Sequence, residues 1–273
     1  MHGLTFRRRR VVLLVVTMIA LLLFGGFAWV QSGRLAEVSF LTGSTLLGSI
    51  LLLGLLGVRR RLPVLPLGSV STWTQIHLYT GIFSAGVYAM HVPALIGNGV
   101  FECGLSIVFL LVTASGFYGI YASRTLPKRL TVVGSEHRFD RVAWHRGQIA
   151  ERARSLLDEL NEQSGMRVLG KFYTSYLNPF FSSRPSLGYV LVPSGVRRRR
   201  LLSGLRELDR YLEPDSRSTA GRFAALVRSR DDLDYQYALQ LRLRLWLVIH
   251  CFFSVALIVG GIVHAVIAWR FAG

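Results

Sequence analysis

The sequence predicts an all-α membrane protein: five transmembrane helices forming a bundle, with a cytoplasmic α+β insert before the last helix. Three observations predict it. Of the 273 residues, 51% are hydrophobic and the mean hydropathy is +0.41, a composition of membrane proteins rather than of soluble domains. Five apolar segments, about 11–30, 40–58, 73–96, 103–123 and 246–269, each approach the ~20 residues that cross ~30 Å of hydrocarbon. Thirty-two Lys and Arg against fifteen Asp and Glu give a net charge of +17, and most of the cations flank these segments.

The first segment starts basic like a signal peptide, but "FAWVQSGR" after it offers a poor small-x-small cleavage site, so it is read as a retained helix. With Arg7–Arg10 inside, the spans alternate so that Arg59–Arg61, Arg124 with Lys128 and Arg129, and Arg242 with Arg244 also fall inside, leaving 31–39 and 97–102 as outer loops. Cations distributed this way argue for an anionic membrane face and against nucleic acid. The run Arg197–Arg200 is the exception, lying inside the polar insert as a solvated basic face or a headgroup contact.

The chain divides into four helices in 1–123, the cytoplasmic insert 124–245 and the fifth helix in 246–273. The insert is too long for a plain loop. Residues 140–163 read as an amphipathic helix. The stretch "RVLGKFYTSYLNPFFSSRPSLGYVLV" has β-branched and aromatic residues broken by Asn-Pro and Arg-Pro, which suggests short strands and turns. Residues 196–212 and 217–245 read as helices, the latter entering the fifth span.

The third span, "IHLYTGIFSAGVYAMHV", carries His77 and His91, and the fifth, "VIHCFFSVALIVGGIVHAV", carries His250 and His264. Imidazoles in hydrocarbon are costly and mark function. Each pair is fourteen residues apart; at 100° and 1.5 Å per residue its members share one helix face, ~21 Å apart in depth. The two spans are parallel in the derived topology, so His77 matches His250 and His91 matches His264. Two imidazoles facing each other at one depth are what a bis-His b-type haem needs, and two such pairs make two haems. The inner haem would be held by His77 and His250, the outer by His91 and His264. The competing readings are helix-to-helix hydrogen bonds or a proton or metal pathway, but none of the five spans has an Asp or Glu in its middle.

Gly81, Ser254 and Gly261 on the ligand faces would leave room for a porphyrin edge, Gly86 and Gly260 would widen it, and Tyr88 is placed as a wedge between the haems. For the propionates the nearest cations and donors are Arg61, Trp73, Arg242 and Arg244 inside, and Arg34 and Arg270 outside. Tyr79, Phe83, Phe252 and Phe253 could pack on porphyrin or be plain core. Cys103 and Cys251 sit at opposite ends of their helices and cannot pair; without Cys-x-x-Cys-His, covalent c-type haem is excluded. His2, His137 and His145 are read as solvated, and Glu37 and Glu102 as outer loop carboxylates.

The doubled His-x13-His resembles that of cytochrome b of respiratory bc complexes, and its place on the third and fifth spans is similar to the ferric reductase and NADPH oxidase superfamily. In both families such histidines ligate two stacked haems, a role the resemblance passes to His77, His91, His250 and His264. The match covers the helical core only. There is no Pro-Glu-Trp-Tyr quinol motif, and the chain ends four residues after the fifth span, so no flavin and nicotinamide domain is expected there. "NPFFSS", residues 178–183, is similar to the superfamily's flavin-binding His-Pro-Phe-Ser/Thr run but lacks its His, and is read as a chance match.

The expectation is a bacterial inner-membrane cytochrome b subunit of a larger complex, with no catalytic residue of its own, moving electrons between the quinone pool and a periplasmic c-type cytochrome or iron–sulfur protein. A quinone is a further expected cofactor. The alternatives are an anchor or assembly subunit with structural haem, and a ferric-reductase-like protein fed by a separate cytoplasmic donor.

Overall fold

The computed structural model describes residues 6–33, 37–61, 68–131, 138–161 and 167–271. Every regular element among them is helical: α1 (Phe6–Ser32), α2 (Val38–Arg61), α3 (Val70–His91), α4 (Val100–Thr131), α5 (Phe139–Asn161), α6 (Arg167–Phe172), a π-helical turn (Tyr173–Leu177), α7 (Asn178–Ser182), α8 (Leu187–Leu191), α9 (Val196–Leu208), a 3-10 turn (Asp209–Tyr211) and α10 (Pro214–Phe271). The chain forms two compact units, residues 1–120 with 247–273, and residues 121–246.

In the first unit α3 packs on α2 and α1. Its core joins Leu46 and Ile50 of α2, Val87 and Tyr88 of α3, Phe109 of α4 and Leu257 of α10. The outer surfaces are apolar: Leu22, Trp29, Phe252 and Val255 are exposed, as lipid-facing side chains are. Among the described residues four helices, α1, α2, α4 and α10, are long and apolar enough to cross a membrane, where five spans were expected. The difference is α3, whose twenty-two residues include Thr72, Thr74, Gln75, His77, Thr80, Ser84 and His91. The residues that make α3 interesting chemically are those that lower its hydropathy.

The second unit has its own core, built from Ile149, Ala153 and Leu156 of α5, Leu169, Tyr173, Leu177 and Phe180 from the following segment, Leu201 and Leu205 of α9, and Phe223 and Val227 of α10. The expected α+β character is corrected here, because no strand occurs among the described residues. Leu169, Tyr173, Leu177 and Phe180 recur at helical spacing and are buried together, so tertiary burial overrides β-propensity. The prolines do not break this pattern. Pro179 occupies the first turn of α7, where a missing N–H costs nothing, and Pro185 precedes Ser186, whose hydroxyl accepts from Tyr189 N at 3.2 Å to cap α8. The helix read over 217–245 runs without a break into the last apolar segment, as expected, forming one helix of 58 residues. "NPFFSS" is a helical turn with Phe180 and Phe181 buried.

Candidate haem-binding site

The four histidines of α3 and α10 meet in two pairs. The ring centres of His77 and His250 are 6.3 Å apart, and those of His91 and His264 are 6.4 Å apart. Equal spacing on α3 and α10 gives both pairs at once because the two helices run in the same direction in register. Two imidazoles binding one iron through Nε2, with metal–nitrogen bonds of ~2.0 Å and about 1.1 Å from each nitrogen to its ring centre, need centres roughly 6.2 Å apart. Both pairs have that separation.

The other ring nitrogens are held by α2 and α4. His77 Nδ1 lies 3.1 Å from the Leu53 carbonyl, which can only accept. His91 Nδ1 lies 3.1 Å from Thr42 Oγ1, whose proton goes to the Val38 carbonyl at 2.9 Å. His250 Nδ1 lies 2.6 Å from Ser115 Oγ, whose proton goes to the Val112 carbonyl at 2.8 Å. For His77 the carbonyl acceptor puts the proton on Nδ1 and the lone pair on Nε2, the tautomer in which Nε2 binds a metal. The Thr42 and Ser115 hydroxyls, whose own protons reach the Val38 and Val112 carbonyls, can accept from His91 and His250 in the same way. His264 differs, stacking on Phe101 with ring centres 6.3 Å apart.

Thr42 and Ser115 are each followed by glycine. A Cβ on Gly43 would meet His91 Cε1 at 3.0 Å, and one on Gly116 would lie 4.0 Å from His250 Cε1. A hydroxyl-glycine step thus faces each of these rings; at Gly43 the missing Cβ makes room for the ring, whereas at Gly116 a Cβ would make only ordinary contact. Sequence reasoning missed both steps. Their signal was a Thr-Gly in "LTGS" and a Ser-Gly in "ASGF", inside otherwise apolar helices.

The other expected residues are placed as follows. Gly81 and Gly261 face Leu53 and Leu47 of α2, at 4.0 and 3.5 Å from a built Cβ. Gly86 packs against Leu21 of α1 and Gly260 against Leu105 of α4, so these two serve helix packing. Ser254 donates to the His250 carbonyl at 2.7 Å. Tyr88 is buried, stacks on Phe109 with ring centres 4.0 Å apart and donates its hydroxyl to the Leu95 carbonyl at 2.7 Å. Phe83 meets Phe24 of α1 at 6.0 Å, Tyr79 donates to the Arg10 carbonyl at 3.2 Å, and Phe252 is exposed, so these aromatics point elsewhere.

Arg242 and Arg244 belong to the second unit, where the Arg244 guanidinium lies 4.0 Å from the Phe139 ring centre and 3.9 Å from Asp140. Arg270 is exposed near the end of α10, and Glu102 is half-buried at the start of α4. His145 packs against Trp144 in the insert. His2, Arg34, His137 and the Arg61 side chain lie outside the described residues.

A haem fits this donor set. No group of three or more His, Cys, Asp or Glu side chains that could hold a bare metal ion occurs among the described residues, whereas a bis-His haem needs only the two facing imidazoles. Removing the acceptor of an Nδ1–H bond weakens the imidazole as a donor to ferric iron. Ser115→Ala is accordingly expected to raise the midpoint potential of the inner haem, and Thr42→Ala that of the outer, each by ~40 mV, the equivalent of ~1 kcal/mol for one electron. Redox titration of each variant by visible spectroscopy checks this, and unmoved potentials would contradict it. None of the known protein families, curated proteins or solved structures compared with the chain matches it.

Proposed function

We propose that this chain is the electron-transfer subunit of a membrane oxidoreductase complex, carrying electrons between the two faces of a membrane through two bis-His b-type haems. The observation that supports this most is the pair of 6.3 and 6.4 Å imidazole separations. His77 and His250 would hold the inner haem, His91 and His264 the outer. Such haems supply one-electron exchange at iron. The chain's own part is to hold the two sites apart in depth, fix each imidazole's tautomer and exclude water with the Leu46, Ile50, Val87, Phe109 and Leu257 layer.

In this reading α3 is the fifth span. Its polar residues are tolerated because α1 and α2 pack over it and because Thr74 and Ser84 donate to carbonyls of their own helix, at 2.9 and 2.8 Å. The arginine-rich ends support a cytoplasmic N-terminus and a cytoplasmic insert at a bacterial inner membrane. With sites ~21 Å apart along the helices, the macrocycle edges come close enough for tunnelling. One end would exchange electrons with the quinone pool and the other with a periplasmic c-type cytochrome or iron–sulfur protein. Arg270 would pair with an outer propionate, and Gly81, Tyr88, Ser254 and Gly261 would border the haems.

The test is electron transfer across a sealed bilayer. In proteoliposomes with ferricyanide trapped inside, an added quinol is expected to reduce the trapped acceptor with wild-type protein. His91→Ala is expected to slow this at least ~10-fold, since lost metal ligation interrupts the path. Haem that dithionite reduces and quinol does not would instead indicate an anchor subunit with structural haem.

A further inference from the structure

The second unit carries a surface that the electron-transfer reading does not use. Between residues 184 and 206 there are six arginines, Arg184, Arg197, Arg198, Arg199, Arg200 and Arg206, and no Asp or Glu. Two of the six are tied inward. Arg197 lies 4.9 Å from the Phe180 ring centre, and Arg198 donates to Asp232 at 3.0 Å. Arg199, Arg200 and Arg206 instead line a shallow groove along α9 together with Val196, Leu202 and Ser203.

Large apolar side chains stand exposed beside them. The buried Val190 anchors the short α8, which leaves Leu187 79%, Leu191 67% and Val192 74% exposed, followed by Val196 at 53%. Val196 belongs to both sets, and Arg199 folds back toward the α8–α9 link: a Cβ on Gly195 would lie 3.6 Å from its guanidinium. Cations and apolar side chains therefore form one continuous patch. Scattered exposed leucines need no explanation, but an apolar cluster rimmed by arginines marks an interaction site.

We infer that this patch binds an anionic lipid surface, the arginines taking the phosphate headgroups and Leu187, Leu191 and Val192 entering the headgroup–acyl boundary. Amphipathic surfaces of this composition lie in the membrane interface. Each arginine near such a surface adds roughly a fivefold preference for it. A protein or nucleic-acid partner would meet the same charge, but α4 and α10 each run from a candidate span into this unit. An anionic bilayer is thus the polyanion at the highest local concentration.

The experiment uses the full chain in nanodiscs, with Cys103→Ser and Cys251→Ser and an environment-sensitive fluorophore on Leu191→Cys. Discs containing phosphatidylglycerol are expected to shift its emission to the blue relative to phosphatidylcholine discs. High salt should reverse the shift, and Arg199→Glu with Arg200→Glu should remove it. A probe at exposed Tyr211→Cys, outside the patch, should stay unshifted. Equal emission in both lipids, or a shift that survives charge reversal or appears equally at residue 211, would overturn the inference. None of these readouts depends on haem.

Discussion

His91→Ala is expected to remove one of two haems and leave the other spectrally intact. A b-type haem is held by its two axial bonds and by packing, so losing one ligand removes most of what retains it. The outer pair is braced by Thr42 on α2 at 3.1 Å and by Phe101 stacked on His264. The inner pair is braced by different groups, the Leu53 carbonyl at 3.1 Å and Ser115 at 2.6 Å, ~21 Å away along the helices. Nothing in the second set touches His91. Haem per chain should fall by half, with the remaining α-band unchanged. Equal loss of both haems, in protein whose helical circular dichroism matches wild type, would show that the pairing by depth is wrong.

Asp234→Ala is expected to destabilise the second unit by about 3–5 kcal/mol, the cost of leaving a buried charge without its partner. Arg230 is fully buried, and its guanidinium donates to Asp234 and, at 2.7 Å, to the Ser183 carbonyl. Arg146, with a side chain only 14% exposed, reaches the same carboxylate at 3.4 Å and the same carbonyl at 2.7 Å. Burial pushes the Asp234 carboxyl up, and the two guanidinium groups oppose that shift. Burial likewise pushes Arg230 and Arg146 down, against the pull of Asp234. One carboxylate thus pairs with two guanidinium groups, which share the Ser183 carbonyl as a further acceptor. Asp234→Asn should cost less, because it keeps an acceptor in place. Thermal unfolding in detergent checks both, and an Asp234→Ala melting temperature equal to wild type would contradict the account.

The facing of the histidines in pairs was legible in the sequence because one number, fourteen residues, occurs on two helices and fixes both face and depth. The residues that orient the ligands were not. Thr42 and Ser115 sit on α2 and α4, and a lone hydroxyl in an apolar helix gains meaning only when the rotation of that helix against α3 or α10 is known. Hydropathy accounts for four of the five expected spans and leaves out α3, where the expected ligands themselves dilute it. In the insert, Tyr173, Leu177 and Phe180 carry β-forming neighbours, yet their spacing is that of a helix, and burial against α5 and α10 decided between the two. Arg244 shows a further limit: closeness in sequence to His250 suggested a propionate partner, while its guanidinium packs on Phe139 in the other unit.

The most direct measurement is a pyridine haemochrome assay, with a reduced-minus-oxidised spectrum, on detergent-purified protein. Two b-type haems per chain, falling to one in either His250→Ala or His264→Ala, is the result expected from the two facing imidazole pairs. Protein without haem, or a haem count indifferent to both substitutions, would contradict the electron-transfer account and leave the four histidines as a proton or metal pathway.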